Sequence, residues 1–315
     1  MRNTNKSSAA RSCATPSLAL QLVQHLNRCR AKPRFNRHVI SPSHICFLHT
    51  STIMTSSPSA LLIGISGLSS SGKTTLARLL RDILTPHAFI LHEDDFYKTD
   101  ADIPVHDGVQ DWDCLESIDL ELFTQTLKHV KEHGRLPAEF VSKEDKNEVG
   151  ESGIPEKVVE SCRRRLQVLL NGEGGEGTAR KWRTPIAIVD GFLLYPHSMR
   201  PVSELLDLKL FLRTSCETAK RRREARSGYV TLEGFWEDPP GYMDKVVWPN
   251  YVKDHKLLFR QEDVNSELDE EVCRQMGIAG MPRETEGVMS GVLDWAVEVV
   301  ESCIKERMGK ERSGD

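Results

Sequence analysis

At 315 residues the chain is long enough for one large domain or two small ones with a sizeable core. Hydrophobic residues make up 39% and charged residues 28%, ordinary values for a soluble protein, and a net charge of −4 argues against a protein whose main work is to hold nucleic acid. No apolar run approaches the roughly 18 residues of a membrane span, and the 8 cysteines, scattered and without a C-x-x-C pair, read as reduced thiols rather than a disulfide frame or a zinc site.

Residues 1–57 differ in composition from the rest of the chain. They carry Arg2, Lys6, Arg11, Arg28, Arg30, Lys32, Arg34 and Arg37, many Ser and Thr, and no acidic residue; the first in the chain is Asp82. Arg-rich, Ser-rich and acid-free is the composition of a mitochondrial transit peptide, which would send the product begun at Met1 to the mitochondrial matrix. Two readings compete with it: a disordered extension, or translation from Met54, which would open the domain neatly. The segment is excluded from the fold, and residues 58–315 are taken as the folded domain.

Leu61-Leu-Ile-Gly-Ile65 reads as a buried strand, and Leu76, Leu79, Leu80 and Ile83 recur at helical spacing. Between them Gly67-Leu-Ser-Ser-Ser-Gly72-Lys73-Thr74 fits G-x-x-x-x-G-K-[ST] in the strand–loop–helix context the motif needs. Glycines let the backbone curl so that successive N–H groups face phosphate oxygens, and the following helix adds the positive end of its dipole. Lys73 is expected on the β- and γ-phosphates and Thr74 on Mg²⁺.

Ala88–His92 is a second strand, followed by Glu93-Asp94-Asp95-Phe96-Tyr97. Carboxylates just past a parallel strand lie on the ligand-binding edge of an open sheet, where Asp94 can accept a proton from an attacking hydroxyl or help hold Mg²⁺. Trp112 beside Asp113 suits stacking on a flat ring with a carboxylate gripping neighbouring hydroxyls. Asp119 to His133 reads as an amphipathic helix. From Gly134 to Arg183 the chain is polar and glycine-rich and is expected to be a peripheral insertion with flexible loops, carrying one helix, Val158 to Leu170, whose Arg163-Arg164-Arg165 faces solvent. Ile186-Ala-Ile-Val-Asp190 is a strand ending in a carboxylate, the pattern of the second acidic motif of P-loop enzymes. Leu208–Leu212 is the fourth strand. The basic run Lys220 to Arg226 on the next helix is placed where a lid supplies arginines to a phosphoryl transfer. Gly287 to Met308 is an amphipathic helix packed as core.

HEDDFYK, IVDGF, AKRRREARSGY and DPPGYMDKVVWPNYVKDHKLLF, in this order behind the phosphate loop, resemble the nicotinamide riboside kinase family, a branch of the P-loop nucleoside kinases related to uridine kinase. The resemblance covers Leu61 to about Phe259. It implies an α/β fold, a five-stranded parallel sheet flanked by helices with an arginine-bearing lid, and transfer of the ATP γ-phosphoryl to the ribose 5′-hydroxyl of nicotinamide riboside or nicotinic acid riboside, with Mg²⁺, in NAD synthesis by salvage. The product begun at Met54 is then expected in the cytoplasm, as a monomer or dimer acting on small molecules, with no nucleic-acid or membrane partner.

Carried over by position, the resemblance implies that Gly67, Leu68, Ser69, Ser70, Ser71, Gly72, Lys73, Thr74 and Thr75, with Arg222 and Arg226 of the lid, bind ATP. Asp94 is the general base, with Lys73 and Arg222 as its catalytic partners. Asp94, Asp95, Phe96, Tyr97, Trp112, Asp113, Arg223 and Tyr229 line the nucleoside, Trp112 and Tyr229 covering the two faces of the pyridine ring. Thr74, Asp94 and Asp190 stand near the metal; Asp190 replaces a Glu found in some members and is one methylene shorter. A pyridinium cation between aromatic faces gains more than a neutral uracil would. The alternatives are a uridine/cytidine-type nucleoside kinase and, outside enzymes, a nucleotide-binding regulator that keeps the loop without the chemistry.

Overall fold

The apolar runs expected as strands pair side by side in one parallel sheet. The computed structural model describes residues 60–143, 152–173, 181–226, 228–230 and 234–313, so the basic extension 1–57 lies outside the described residues. The strands are β1 (Leu61–Gly67), β2 (Ala88–His92), β3 (Ile186–Asp190), β4 (Leu208–Leu212) and β5 (Ile278–Gly280), in the spatial order β2-β3-β1-β4-β5. The helices that cover them are α1 (Lys73–Leu84), α2 (Leu120–His133), α3 (Glu156–Asn171), α4 (Cys216–Glu224), α5 (Trp248–His255), α6 (Glu270–Met276) and α7 (Met289–Ser313).

Side chains alternate across each strand, so the two faces of the sheet build two separate cores. Leu61, Ile63 and Ile65 of β1 join Ile186, Ile188, Leu210 and Leu212 against α1, α3 and α7. Leu62, Ala187, Val189 and Phe211 point the other way, into a core with Phe123, Leu127 and Val130 of α2 and Tyr251 of α5. β1 and β3 are buried along their whole length, as continuous apolar runs in a doubly covered sheet require. Helix boundaries follow local chemistry. The Asp119 carboxylate accepts the Leu122 N–H at 2.9 Å to start α2, and Gly134, at φ 68°, ends it.

Two elements differ from expectation. The stretch 134–183 is not peripheral throughout: α3 buries Val159, Cys162, Leu166 and Leu170 in the core against α1 and α7. Its apolar spacing is real, but polar flanks obscure it in the sequence. Arg164 and Arg165 do face solvent, and Arg165 reaches Asp294 at 2.8 Å and Glu301 at 3.0 Å on α7. The second difference lies after Phe259, where α6 and β5 form although no element was expected between Phe259 and Gly287. Asp269 caps α6 by accepting the Glu271 and Val272 N–H groups, and β5 pairs with β4.

Because α3 is core, Leu166→Ala should lower the unfolding free energy by about 2–5 kcal/mol in urea titrations. A helix lying loosely on the surface would lose about 0.5 kcal/mol or less.

Candidate active site

β1 runs directly into the glycine loop, and the loop's shape is imposed by what lies behind it. Gly67 sits at φ +144°, and a Cβ there would lie 2.1 Å from the main-chain oxygen of Leu212 on β4. Gly72 takes φ +103° at the head of α1 and has no side chain with which to cap that helix. The first N–H groups of α1 therefore face the hollow of the loop with the helix dipole behind them, an arrangement made for anionic oxygens. Lys73 is buried, and its ammonium donates to the Leu68 carbonyl at 3.1 Å. Burial pushes its pKa down, against the attraction of Asp190 and Asp94.

The C-terminal ends of β2 and β3 bring the acidic groups to the same edge. His92 and Asp190 are register partners, both buried, with His92 Nδ1 3.1 Å from Asp190 Oδ2. Burial works to raise the Asp190 pKa. The bond to His92, the charges of His92 and Lys73 and the Thr74 hydroxyl overcome it and hold the carboxyl below the usual range. Asp94 is half-buried and close enough to Lys73, Glu93 and Tyr97 to influence the ionisation of all three.

These residues suit a small hard cation. Among the described residues Asp190 Oδ1 is buried without a well-formed hydrogen bond, and the Thr74 hydroxyl addresses the same carboxylate. Among the described residues there is no cluster of three or more His, Cys, Asp or Glu side chains able to hold a metal by themselves. Magnesium needs no such cluster, since it keeps its waters and binds through one or two protein ligands plus phosphate oxygens.

α4 and the loop before α5 close the site from the other side. Arg222 donates to the Ser70 carbonyl of the phosphate loop at 3.3 Å. Arg223, buried, is gripped by two carboxylates. Its Nε and one terminal nitrogen meet Asp238 at 2.6 and 3.1 Å, and both terminal nitrogens meet Asp113 at 3.1 Å. It also reaches the Ser69 hydroxyl at 2.7 Å and lies over the Tyr242 ring at 5.3 Å. Burial raises the Asp113 pKa and the Arg223 charge opposes it. Trp112 is flanked by Tyr97, edge-on at 5.3 Å, and by Trp236 at 5.7 Å, while its backbone N–H donates to the Tyr242 hydroxyl.

The structure thus brings Lys73, Thr74, Asp94, Asp190, Arg222 and Arg223 to one sheet edge, with Tyr97, Trp112 and Asp113 beside them. Arg226 is exposed yet near enough to influence Lys73. Two expectations need correction. The Phe96 side chain is core, stacked on Phe123 at 4.6 Å and near Phe140, because the turn after β2 rolls it inward. Asp95 turns away to accept the Lys143 backbone N–H at 2.6 Å. Tyr229 pairs through its backbone with Trp236, and its side chain lies outside the described residues. Sequence reasoning missed His92, Glu93, Trp236 and Asp238. His92, Glu93 and Asp238 lie within the HEDDFYK and DPPGY stretches and Trp236 just before the second, but no spacing rule gives any of them a role.

Among curated proteins, the nicotinamide riboside kinase of Schizosaccharomyces pombe is 40% identical over 216 residues, 66% of this chain and 84% of that one. The Saccharomyces cerevisiae nicotinamide riboside kinase is 34% identical over 216 residues, 68% of this chain and 85% of its own. The chain belongs to the nicotinamide riboside kinase family. The human relative named nicotinamide riboside kinase 2 is 32% identical over 203 residues, 64% of this chain and 68% of that one. No protein-family model matches the chain. A solved structure of a possible uridine kinase from Bacillus stearothermophilus, 21% identical, aligns over 52% of this chain and 76% of that one with a TM-score of 0.32, a likeness too loose to argue from.

Within this nicotinamide riboside kinase family member, Glu93 is wholly buried, with Oε2 accepting the Leu193 N–H at 3.0 Å, and burial with Asp94 nearby raises its pKa to about 8. The native state keeps this proton where the unfolded chain has lost it. The group's contribution to stability is therefore complete at low pH and is lost as pH rises toward 8. Glu93→Gln, which mimics the neutral acid, should gain on the wild type by up to about 1.4 kcal/mol per pH unit between pH 5 and 8, read from denaturant unfolding at each pH.

Proposed function

We propose that the protein transfers the γ-phosphoryl group of ATP to the 5′-hydroxyl of nicotinamide riboside, and of nicotinic acid riboside, giving the mononucleotide and ADP in the salvage route to NAD. The observation that carries this reading is that one guanidinium, that of Arg223, touches both Ser69 of the phosphate loop and Asp113 beside Trp112. Phosphoryl donor and ribose acceptor then meet in one hollow.

In this reading the loop backbone and Lys73 hold the β- and γ-phosphates, and Arg222 and Arg226 spread the charge that builds on the transferring oxygens. Asp113 and Arg223 hold the ribose hydroxyls, fixing the 5′-oxygen in line with the γ-phosphorus. Asp94 takes the proton of the 5′-hydroxyl as the new O–P bond forms and the bond to ADP breaks. Thr74 and Asp190, with Asp94 near them, would hold Mg²⁺, which supplies Lewis-acid neutralisation of phosphate charge. The pyridinium ring is recognised by Trp112 with Tyr97 and Trp236, a wall of π-faces on which a cation gains about 1–2 kcal/mol when desolvated.

Among the described residues no helix is long and apolar enough to cross a membrane. A product begun at Met1 would enter the mitochondrial matrix through residues 1–57, and a product begun at Met54 would stay in the cytoplasm; fluorescent fusions of each test this by microscopy.

With residues 58–315 and Mg-ATP, ADP release should be rapid with nicotinamide riboside and negligible with uridine. Turnover confined to uridine would overturn the substrate assignment. Asp94→Asn should lower kcat by roughly 10²–10⁴ while leaving ATP affinity intact. Trp112→Leu should raise the KM for nicotinamide riboside by about tenfold, the equivalent of about 1.4 kcal/mol.

A further inference from the structure

His92 closes β2 one residue before the acidic turn, and the proposed mechanism gives it no task. It is 2% exposed, at the C-terminal edge of a sheet where a buried imidazole needs a reason. Its register partner across the parallel ladder is Asp190, itself 5% exposed, so the two side chains project from the same face at the same level. The ring nitrogen Nδ1 lies 3.1 Å from Asp190 Oδ2, and the other oxygen, Oδ1, is buried with no well-formed hydrogen bond among the described residues. A carboxylate with one oxygen anchored to a ring on a strand end has lost its freedom to rotate. Its second oxygen is then held in a fixed direction, and the Thr74 hydroxyl and the Lys73 charge both act on the same carboxylate.

We propose that His92 is a positioning residue for the phosphoryl-transfer metal, holding Asp190 by Oδ2 so that Oδ1 is presented to Mg²⁺ beside Thr74. The inference rests on the phosphotransferase reading above. It also gives the short side chain of Asp190 a physical footing. An Asp reaches one methylene less far than a Glu, so it depends more on being aimed. Without the imidazole, Asp190 is free to swing onto Lys73, whose charge already attracts it. That ion pair would occupy the metal's carboxylate and the phosphates' ammonium at once. Partners that orient a metal ligand from behind typically contribute 10–100-fold to metal affinity.

The test compares four proteins: wild type, His92→Ala, His92→Asn and His92→Gln. The Asn amide nitrogen falls near the position of Nδ1 and can still donate to Asp190, whereas the longer Gln places its amide near Nε2. Mn²⁺ binding to each protein saturated with ADP is followed by the loss of free-ion EPR signal, alongside thermal unfolding and the Mg²⁺ dependence of turnover. The expected result is 10–100-fold weaker Mn²⁺ binding in His92→Ala and His92→Gln, with His92→Asn within about threefold of wild type. The Mg²⁺ concentration for half-maximal rate should move in parallel, while the affinity for ADP alone stays unchanged.

Equal Mn²⁺ affinity in all four proteins would overturn the proposal. So would losses in Asn as large as in Gln, which would mark His92 as a packing residue. Should His92→Ala fail to fold, the Asn–Gln pair decides by the same criterion. If wild type itself binds no Mn²⁺ with ADP, the phosphotransferase reading fails, a result distinct from failure of the His92 role.

Discussion

Lys73, Glu93, Asp113, Asp190 and Arg223 are all buried at one edge of the sheet, where a charge without a partner would cost several kcal/mol. Much of the local architecture is the solution to that constraint. Arg223 is gripped by Asp113 and Asp238, Asp190 is tied to His92 and attracted by Lys73, and Lys73 leans on a carbonyl of its own loop. Glu93, which makes no ion pair among the described residues, is held toward its neutral form by burial, against the pull of the Lys73 charge. A set of charges balanced against one another in a dry site is also a set poised to take up phosphate and metal, because few of the partners need to move far.

The arginine between two carboxylates has a further consequence for the lid. Asp113 belongs to the wall that holds Trp112, Asp238 to the segment that leads into α5, and Ser69 to the phosphate loop. One guanidinium therefore connects three parts of the chain that lie far apart in sequence. Asp238 also accepts the Trp236 indole N–H at 2.9 Å, so the same carboxylate orients a cation and an aromatic ring. The Trp112 wall and the phosphate loop are mechanically joined in this way, and the planar, five-donor geometry of Arg is what allows it; a Lys would satisfy one partner at a time.

The fold outside the site serves mainly to hold these groups still. Gly67 passes so close to Leu212 that the start of the phosphate loop is pinned to β4, and α3 braces α1 from behind through Leu166 and Leu170. A loop fixed at its entrance and a helix fixed along its back leave the nest of N–H groups with little freedom, which is the condition for binding phosphate without an ordering cost.

Strong periodic signals and the spaced motif were determined by the sequence alone. The strands from Ala88, Ile186 and Leu208 and the helix after Asp119 fall where the apolar pattern puts them, because the strands are short apolar runs of a sheet covered on both faces and the helix keeps its apolar residues on one face. The G-x-x-x-x-G-K-[ST] run carries its own backbone requirements, so its place could be read directly, as could the places of Asp94 just past β2 and Asp190 at the last position of β3. Tertiary structure alone decided the rest. β5 has only three residues, too few for a period, and exists because β4 offers it an edge. Phe96 goes inward because Phe123 waits there, although its neighbours in the motif face the site. The pairing of His92 with Asp190, and of Arg223 with Asp238, joins residues whose meeting depends on strand order and lid placement. A linear pattern states what each side chain is; which charge neutralises which is settled only when the sheet has brought them to the same edge.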